Sequence, residues 1–546
     1  MVREYVGARY VPKFMGTYDN TQEYEALCVV DNGLGTSYIT KVPTPAGTPL
    51  TNTTYWAVYG ATSGAIINLQ NQIDEITKIG ATPQMYGAKA DGVTDDTAAI
   101  QQALDENETV YIPASNYPYI FTQLILRENN HLIGMGGVLK YKDNTAVDSS
   151  QSYYPIWAIQ DNIVIDGLII DGNGSNNTQS LVCDCITISG RNSKVINCKI
   201  FDAPDSCITV STEENLTVSH NNLDGAPDNG IYVNSSGFDN LKGFIISDNT
   251  ICNCVNSAIA CKRECSKGQI SNNVIHDCTN GITMEPVSPY GSSTMIGISN
   301  NFMYNIAAIG IGIRGGVEHS VVGNTIKGSQ NHAIQISGCK NCSIVGNVVS
   351  SSTTPSTDSY RDVLFIYGVG DENSSLSVIG NSFTINNSSL SGVEVIGHSH
   401  DITFSGNTFE FKDNNNRDVV ICISAGGYNT ENVIFSDNTC VDGDGNNHSI
   451  NNVDIVTNNL GKLTPYQPTG ADYKASACAT MPWGSGTGQV RIMNPYSSIN
   501  ARNHGIFKHY DIVPDALTAN TFKLYIANAD GVGSNVLTEL LSISGV

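Results

Sequence analysis

Basic residues are scarce: 28 Lys and Arg stand against 51 Asp and Glu in 546 residues, for a net charge of −23. Phosphate contacts need clustered cations, so this deficit excludes a general nucleic-acid binder. Long apolar runs are also missing. No stretch approaches the length of a membrane span, and the opening MVREYVGARY has no apolar core of signal-peptide length, so neither membrane insertion nor export by the usual leader is expected. The 15 cysteines are scattered singly, and the close pair Cys252/Cys254 has no second pair at zinc-ligand spacing. Buried free thiols are the expectation, with no metal and no cofactor called for.

Charged residues make up only 14% of the chain, whereas Gly reaches 52 residues and Asn, Ser and Thr abound. That composition suits short strands joined by turns, not long surface helices. Triplets of the Asn-x-Ser/Thr form, as at Asn215 and Asn387, are read as Asn-rich turns. The length exceeds that of one compact domain, which leaves several domains or one elongated repeat.

From residue 162 onward an apolar residue, two small or polar residues and an Asn recur. The Asn slots are Asn221, Asn249, Asn273, Asn301, Asn324, Asn347, Asn381, Asn407 and Asn438, with Cys198 in the equivalent place before them. Successive slots lie 23, 28, 24, 28, 23, 23, 34, 26 and 31 residues apart, the variable period of a solenoid whose loops differ in length. Each interval is one coil, giving about ten stacked coils. The stacked Asn side chains are expected to hydrogen-bond to their neighbours above and below.

A second unit follows each slot, as in Ile208–Ser211, Ile231–Asn234, Ile259–Lys262, Ile282–Glu285, Ile311–Arg314 and Ile334–Ser337. Strand alternation puts the first and third residues inside and the second and fourth in solvent, with aligned residues about 4.8 Å apart along the stack. One outward row then reads Ser211, Asn234, Lys262, Glu285, Arg314, Ser337, and Tyr232 and Gln335 lie in the row beside it. Its plain reading is a solvated ion-pair ladder of little energetic weight. Its functional reading makes Glu285, Lys262 and Arg314 catalytic, with Tyr232, Asn234, Gln335 and His332 as substrate contacts. Two cations on so acidic a chain suit an anionic sugar or phosphate.

Three residues before each isoleucine runs another row, opening with Asp205 and Asp228. Carboxylates on neighbouring coils approach the spacing of a retaining glycosidase pair, and their repulsion raises one pKa so that it can act as acid. The alternative is that both merely end turns. Lys262 with Arg314 also fits elimination, a base removing a proton beside a uronate that arginine neutralises. His276, His319 and His332 are candidate accessories.

The chain divides in this reading into a module over 1–62, a helical neck over 63–80, the solenoid over 81–460 and a β module over 461–546. Ile66, Leu69, Ile73 and Ile76 fall at a and d heptad positions. Isoleucine at both a positions and one d position favours three strands over two, hence a homotrimer. The alternative is a single helix lying on a domain.

The segment YGAKADGVTDDTAAIQQAL at 86–104, followed by VYIPA, resembles the opening of the pectate-lyase superfamily. That resemblance implies an all-β, right-handed parallel β-helix with an N-terminal capping helix. It also implies that Asp91, Asp95 and Asp96 are capping residues, while the residues themselves offer Thr94 as the cap of a helix with Asp95 and Asp96 in its first turn. The first sixty residues, with Tyr5 to Phe14, Pro45 to Leu50 and Thr54 to Trp56, resemble the anchoring module of phage tail and neck appendages. This implies a virion protein that docks to tail or neck proteins and meets host cell-surface polysaccharide. The family includes depolymerases, by hydrolysis or elimination, and non-enzymatic adhesins. Hydrolysis is preferred, and Glu285→Gln and Lys262→Ala are each expected to remove most activity.

Overall fold

The computed structural model describes residues 5–451 except 7, 8, 11, 34, 35, 60–79, 178–181, 212, 213, 235–240, 287–291, 352–362, 387–391, 413–418, 425–429 and 443–447. Beyond 451 it describes 455–457, 463–465, 473, 474, 477–482, 489–493, 505–507, 512–518, 521–527, 531, 532 and 537–544. The chain forms two compact units, Met1–Ala81 and Thr82–Val546. The heptad seam from Ile66 to Ile76 lies outside the described residues.

In the first unit, strands Lys13–Thr17, Cys28–Asp31, Ser37–Thr40 and Trp56–Val58 form one four-stranded sheet. Its core is small and aromatic: the Trp56 ring meets Tyr24 at 5.4 Å and Tyr18 at 5.7 Å.

The second unit is a right-handed parallel β-helix. Each coil supplies one strand to each of three faces, as in Ile231–Asn234, Ile245–Ser247 and Thr250–Cys254. Pairing between this coil and the next is parallel and in register on all three faces, with shifts at a few later places such as Ser337 to Lys340. The third face alone has 13 strands among the described residues, from Tyr119–Phe121 to Thr439–Asp442. Ten follow the Asn or Cys198 slots, and three earlier coils precede them without the motif. Beyond Ala477 three described pairings are antiparallel, whereas Ile492 and Ile512 still pair in parallel.

The Asn slots form an inner ladder between the second and third faces. Asn301 is typical: its Oδ1 accepts from the Asn273 N–H at 3.0 Å and from Asn273 Nδ2 at 2.9 Å. Its own Nδ2 donates to Ile270 O at 3.0 Å and to Asn324 Oδ1 at 2.9 Å. The residue before each slot carries a positive φ, as at Asp248, Asn272, Asn300, Gly323 and Gly346. Only Gly, Asn, Asp and a few others adopt that conformation cheaply, which is why this place in the repeat is small or polar.

Inside, the first and third residues of each first-face strand are buried, as Ile259, Cys261, Ile282, Met284, Ile311 and Ile313 show. The thirteen cysteines whose side chains are described are all buried, and none of them is in a disulfide. The open end of the stack is covered by helix α1, Thr97–Glu106, whose Ile100, Ala103 and Leu104 are buried. Its N-cap is Asp96, not Thr94. Thr94 instead bonds to Asp91, and the Asp96 carboxylate accepts the N–H groups of Lys89 and Ala90. The acidic residues here brace the approach to the helix.

Asn301→Ala removes the acceptor of two buried donors. A loss on the order of 1–3 kcal/mol is expected, read as a lower midpoint in thermal or denaturant unfolding; an unchanged midpoint would refute the ladder's role.

Candidate functional site

The row at the far end of the first-face strands has the expected register. Ser211 pairs with Asn234, Asn234 with Lys262, Lys262 with Glu285, and Arg314 with Ser337. Glu285 turns toward Arg314, at 3.6 Å, with side chains 38% and 51% exposed. An ion pair so open to water contributes little. Lys262 lies over the Tyr232 ring at 5.4 Å. Asn234 Oδ1 is buried and has no hydrogen-bond partner among the described residues. Asn280, Thr283, Glu285, Gly312, Arg314 and Gln335 line one recess.

The second row departs from the expectation of open solvent. Thr209, Ala260, Thr283 and Gln335 are buried, and Tyr232 is half-buried. The reason is a roof of side chains from the preceding coil: Asp184 bonds Thr209 and Ser257 bonds Thr283. His332 is also buried and stacks on Phe365 at 4.4 Å, so neither it nor Gln335 is a ready substrate contact. His276 lies on the third face against Tyr304 and Asp277, away from this site. His319 is buried, with Nδ1 accepting from the Ile296 N–H, and burial pushes its pKa down to about 4. It is neutral at pH 7 and structural.

At the near end of the same face stand three carboxylates. Asp205 and Asp228 are half-buried, and Asp184 is only 3% exposed. Burial, with Asp228 beside it, raises Asp205 to about 6. Burial raises Asp184 to about 7, against the hydrogen bond from Thr209 and with the Asp205 charge adding to the rise. Asp184 accepts the Thr209 hydroxyl at 2.6 Å and the Ser206 N–H at 3.1 Å. Asp228 accepts from Asn256 Nδ2 at 2.9 Å and from Asn229 Nδ2 at 2.6 Å. The Tyr232 hydroxyl is raised by burial; Arg263 opposes the rise, and Asp228 and Asp184 add to it.

The structure thus brings Asp205, Asp228 and Tyr232 together, and leaves Glu285 with Arg314 at the other strand end. Asp184 was missed in the sequence because it stands two residues before Ile186, not three. A search for acidic residues in adjacent repeats that allowed a slip of one would have found it.

Comparison with known proteins agrees with this architecture. The model described as rhamnogalacturonase A/epimerase, pectate lyase-like, matches residues 84–286, and a right-handed β-helix region model matches 238–409. The fold these matches and the coil geometry share is the right-handed parallel β-helix. The chain is similar, more particularly, to the preneck appendage protein of Bacillus phage PZA, 25% identical over 197 residues, covering 31% of this chain and 23% of that protein. The pre-neck appendage protein of Bacillus phage B103 is 26% identical over 175 residues, covering 31% and 18%. The match thus spans less than a quarter of these relatives. The crystal structure of pre-mature bacteriophage phi29 gene product 12 superposes with a TM-score of 0.55 at 18% identity, covering 74% of this chain and 57% of that one. It shows the shared fold. The resemblance to phage appendages expected from the sequence is borne out.

Asp184 gives a stability test. Its folded pKa of about 7 lies above the ordinary 3.8, so its contribution is fully present below pH 4 and is lost as pH rises through about 7. At 1.36 kcal/mol per unit the penalty reaches the order of 4 kcal/mol. Asp184→Asn should therefore gain stability relative to the parent between pH 4 and 8 in parallel thermal melts. A constant difference across that range would show that Asp184 is not buried in this way.

Proposed function

We propose that this chain is the glycan-cleaving part of a phage neck or tail appendage, carried on the virion and acting on host cell-surface polysaccharide by hydrolysis at Asp205 and Asp228. The observation behind this reading is the raised Asp205 carboxyl beside Asp228 on the rim of the first face. Asp205, protonated below about pH 6, donates to the departing glycosidic oxygen. Asp228, about 4.8 Å along the stack, attacks the anomeric carbon as the glycosidic bond breaks. Water then releases the sugar with Asp205 as base. The coil spacing is near the ~5–5.5 Å of retaining pairs. Asp184 holds the Thr209 hydroxyl, and its charge adds to the rise of the Tyr232 hydroxyl. Lys262 and Arg314 meet anionic groups elsewhere on the polymer. Elimination is less well supported, because it would leave the raised Asp205 carboxyl beside Asp228 without a role.

Purified cell-wall glycans of a Bacillus host, assayed for new reducing ends, test the reading. Asp205→Asn and Asp228→Asn should each lower the rate at least a hundredfold, whereas Glu285→Gln and Lys262→Ala should act mainly on KM. The rate should fall as pH rises through about 6, since the acid form of Asp205 is then lost. Full activity in both Asp variants would refute the assignment. Glycan binding without chain shortening by the parent protein would make the chain an adhesin.

The heptad seam supports a homotrimer, docked to tail or neck proteins through residues 1–62. Light scattering should give about three times the 58.3 kDa chain mass; a mass near one chain would rule the trimer out.

A further inference from the structure

The first face carries the aromatic pair Tyr154 and Trp157 before the carboxylates, and a second pair, Phe365 and Tyr367, well beyond them along the stack. Trp157 belongs to the strand Ile156–Ala158 and is in register with Ile125 on one side and Thr187 on the other. Thr187 is in register with Thr209, and Thr209 with Tyr232. Trp157 therefore lies, one coil after Ile125, in the row in which Thr209 bonds Asp184 and Tyr232 feels Asp228. Three coil steps, about 14 Å, separate Trp157 from Tyr232.

The indole is half-buried, and one of its sides is braced by Tyr154, whose ring is stacked 5.3 Å away at 20°. A large ring held partly open at the surface is not needed by the core, which this part of the stack fills with Ile156, Ala158 and Ile186. Between Trp157 and the carboxylates lies Thr187. It is 7% exposed, and its Oγ1 has no hydrogen-bond partner among the described residues. That oxygen is closed to solvent, so Thr187 floors the row beside the indole and leaves the ring as the open surface there.

We infer that Trp157, braced by Tyr154, is a ring-stacking subsite for a pyranose unit on the side of the carboxylates away from Tyr232. The chemistry is that of a sugar's C–H face, slightly positive, laid on the negative face of an aromatic ring. A pocket that combines an aromatic wall with a few placed polar groups binds such a ligand with orientation. The glycan then crosses the face along the stack, from Trp157 over Asp184 and Asp205 toward Tyr232. This inference rests on the hydrolytic reading, which it deepens by fixing where the chain of sugars enters.

The test uses the full-length protein and soluble Bacillus cell-wall polysaccharide. In the parent background, Trp157→Ala should raise KM at least fivefold while kcat falls by less than threefold, and Trp157→Phe should recover most of the loss. In the Asp205→Asn background, where binding is read by calorimetry without turnover, Trp157→Ala should weaken binding by a similar factor. Binding or KM unaltered by Trp157→Ala overturns this inference and leaves the carboxylate assignment standing. Glycan binding by the parent with no cleavage, but lost in Trp157→Ala, overturns the hydrolytic reading and upholds the subsite. No binding to the polysaccharide by the parent overturns both.

Discussion

Every outward row of this molecule depends on one interaction, the amide ladder that ties each coil to the next. Asn221, Asn249, Asn273, Asn301, Asn324, Asn347, Asn381, Asn407 and Asn438 each give Oδ1 to the coil before, and along the middle of the ladder both the N–H and Nδ2 of the preceding slot donate to it. These groups are buried, so an unpaired member would carry a desolvation penalty. The ladder therefore admits one register. Because register is fixed at the turn, side chains many residues apart in sequence are held in rows one coil apart.

The same stacking explains the electrostatics. In a compact domain, like charges are placed apart; in a solenoid, repeating a residue type at one position stacks it upon itself. Asp205 above Asp228, with Asp184 roofed beside them, is an arrangement that water would not favour, and burial raises two of these carboxyls. Such shifts mark groups suited to proton transfer. At the other strand end opposite charges alternate, and Glu285 satisfies Arg314 in the open. The two ends of one face thus differ in kind: one stores an unfavourable proton balance, and the other relaxes it.

Much of the fold was legible in the sequence because the repeat carries its own grammar. The apolar residue, the positive-φ residue and the Asn each answer a separate physical need, and all three recur together. The inward positions of the first face were equally legible, from alternation alone. What alternation did not reveal was the roof. It treats a strand as a flat ribbon, so Thr209, Thr283 and Gln335 read as solvent-facing, whereas side chains of the preceding coil bend over the first two, through Asp184 and Ser257, and Gln335 is buried as well. Asp184 escaped because the column was scanned at a single offset. Trp157 escaped because its coil precedes the first Asn slot, where the repeat is not yet visible. The capping helix was placed to within a turn, but its cap was assigned to Thr94, since a Thr before acidic residues is a common start signal.

On this account the first face is a track on which a glycan lies along the stack and is cut at the acidic end. The most direct measurement is a crystal structure of Asp205→Asn with a bound oligosaccharide from the host wall. The account predicts a glycosidic oxygen within hydrogen-bond reach of residue 205 and an anomeric carbon facing Asp228. An oligosaccharide seated only along Lys262, Glu285 and Arg314, with no sugar near Asp228, would contradict it.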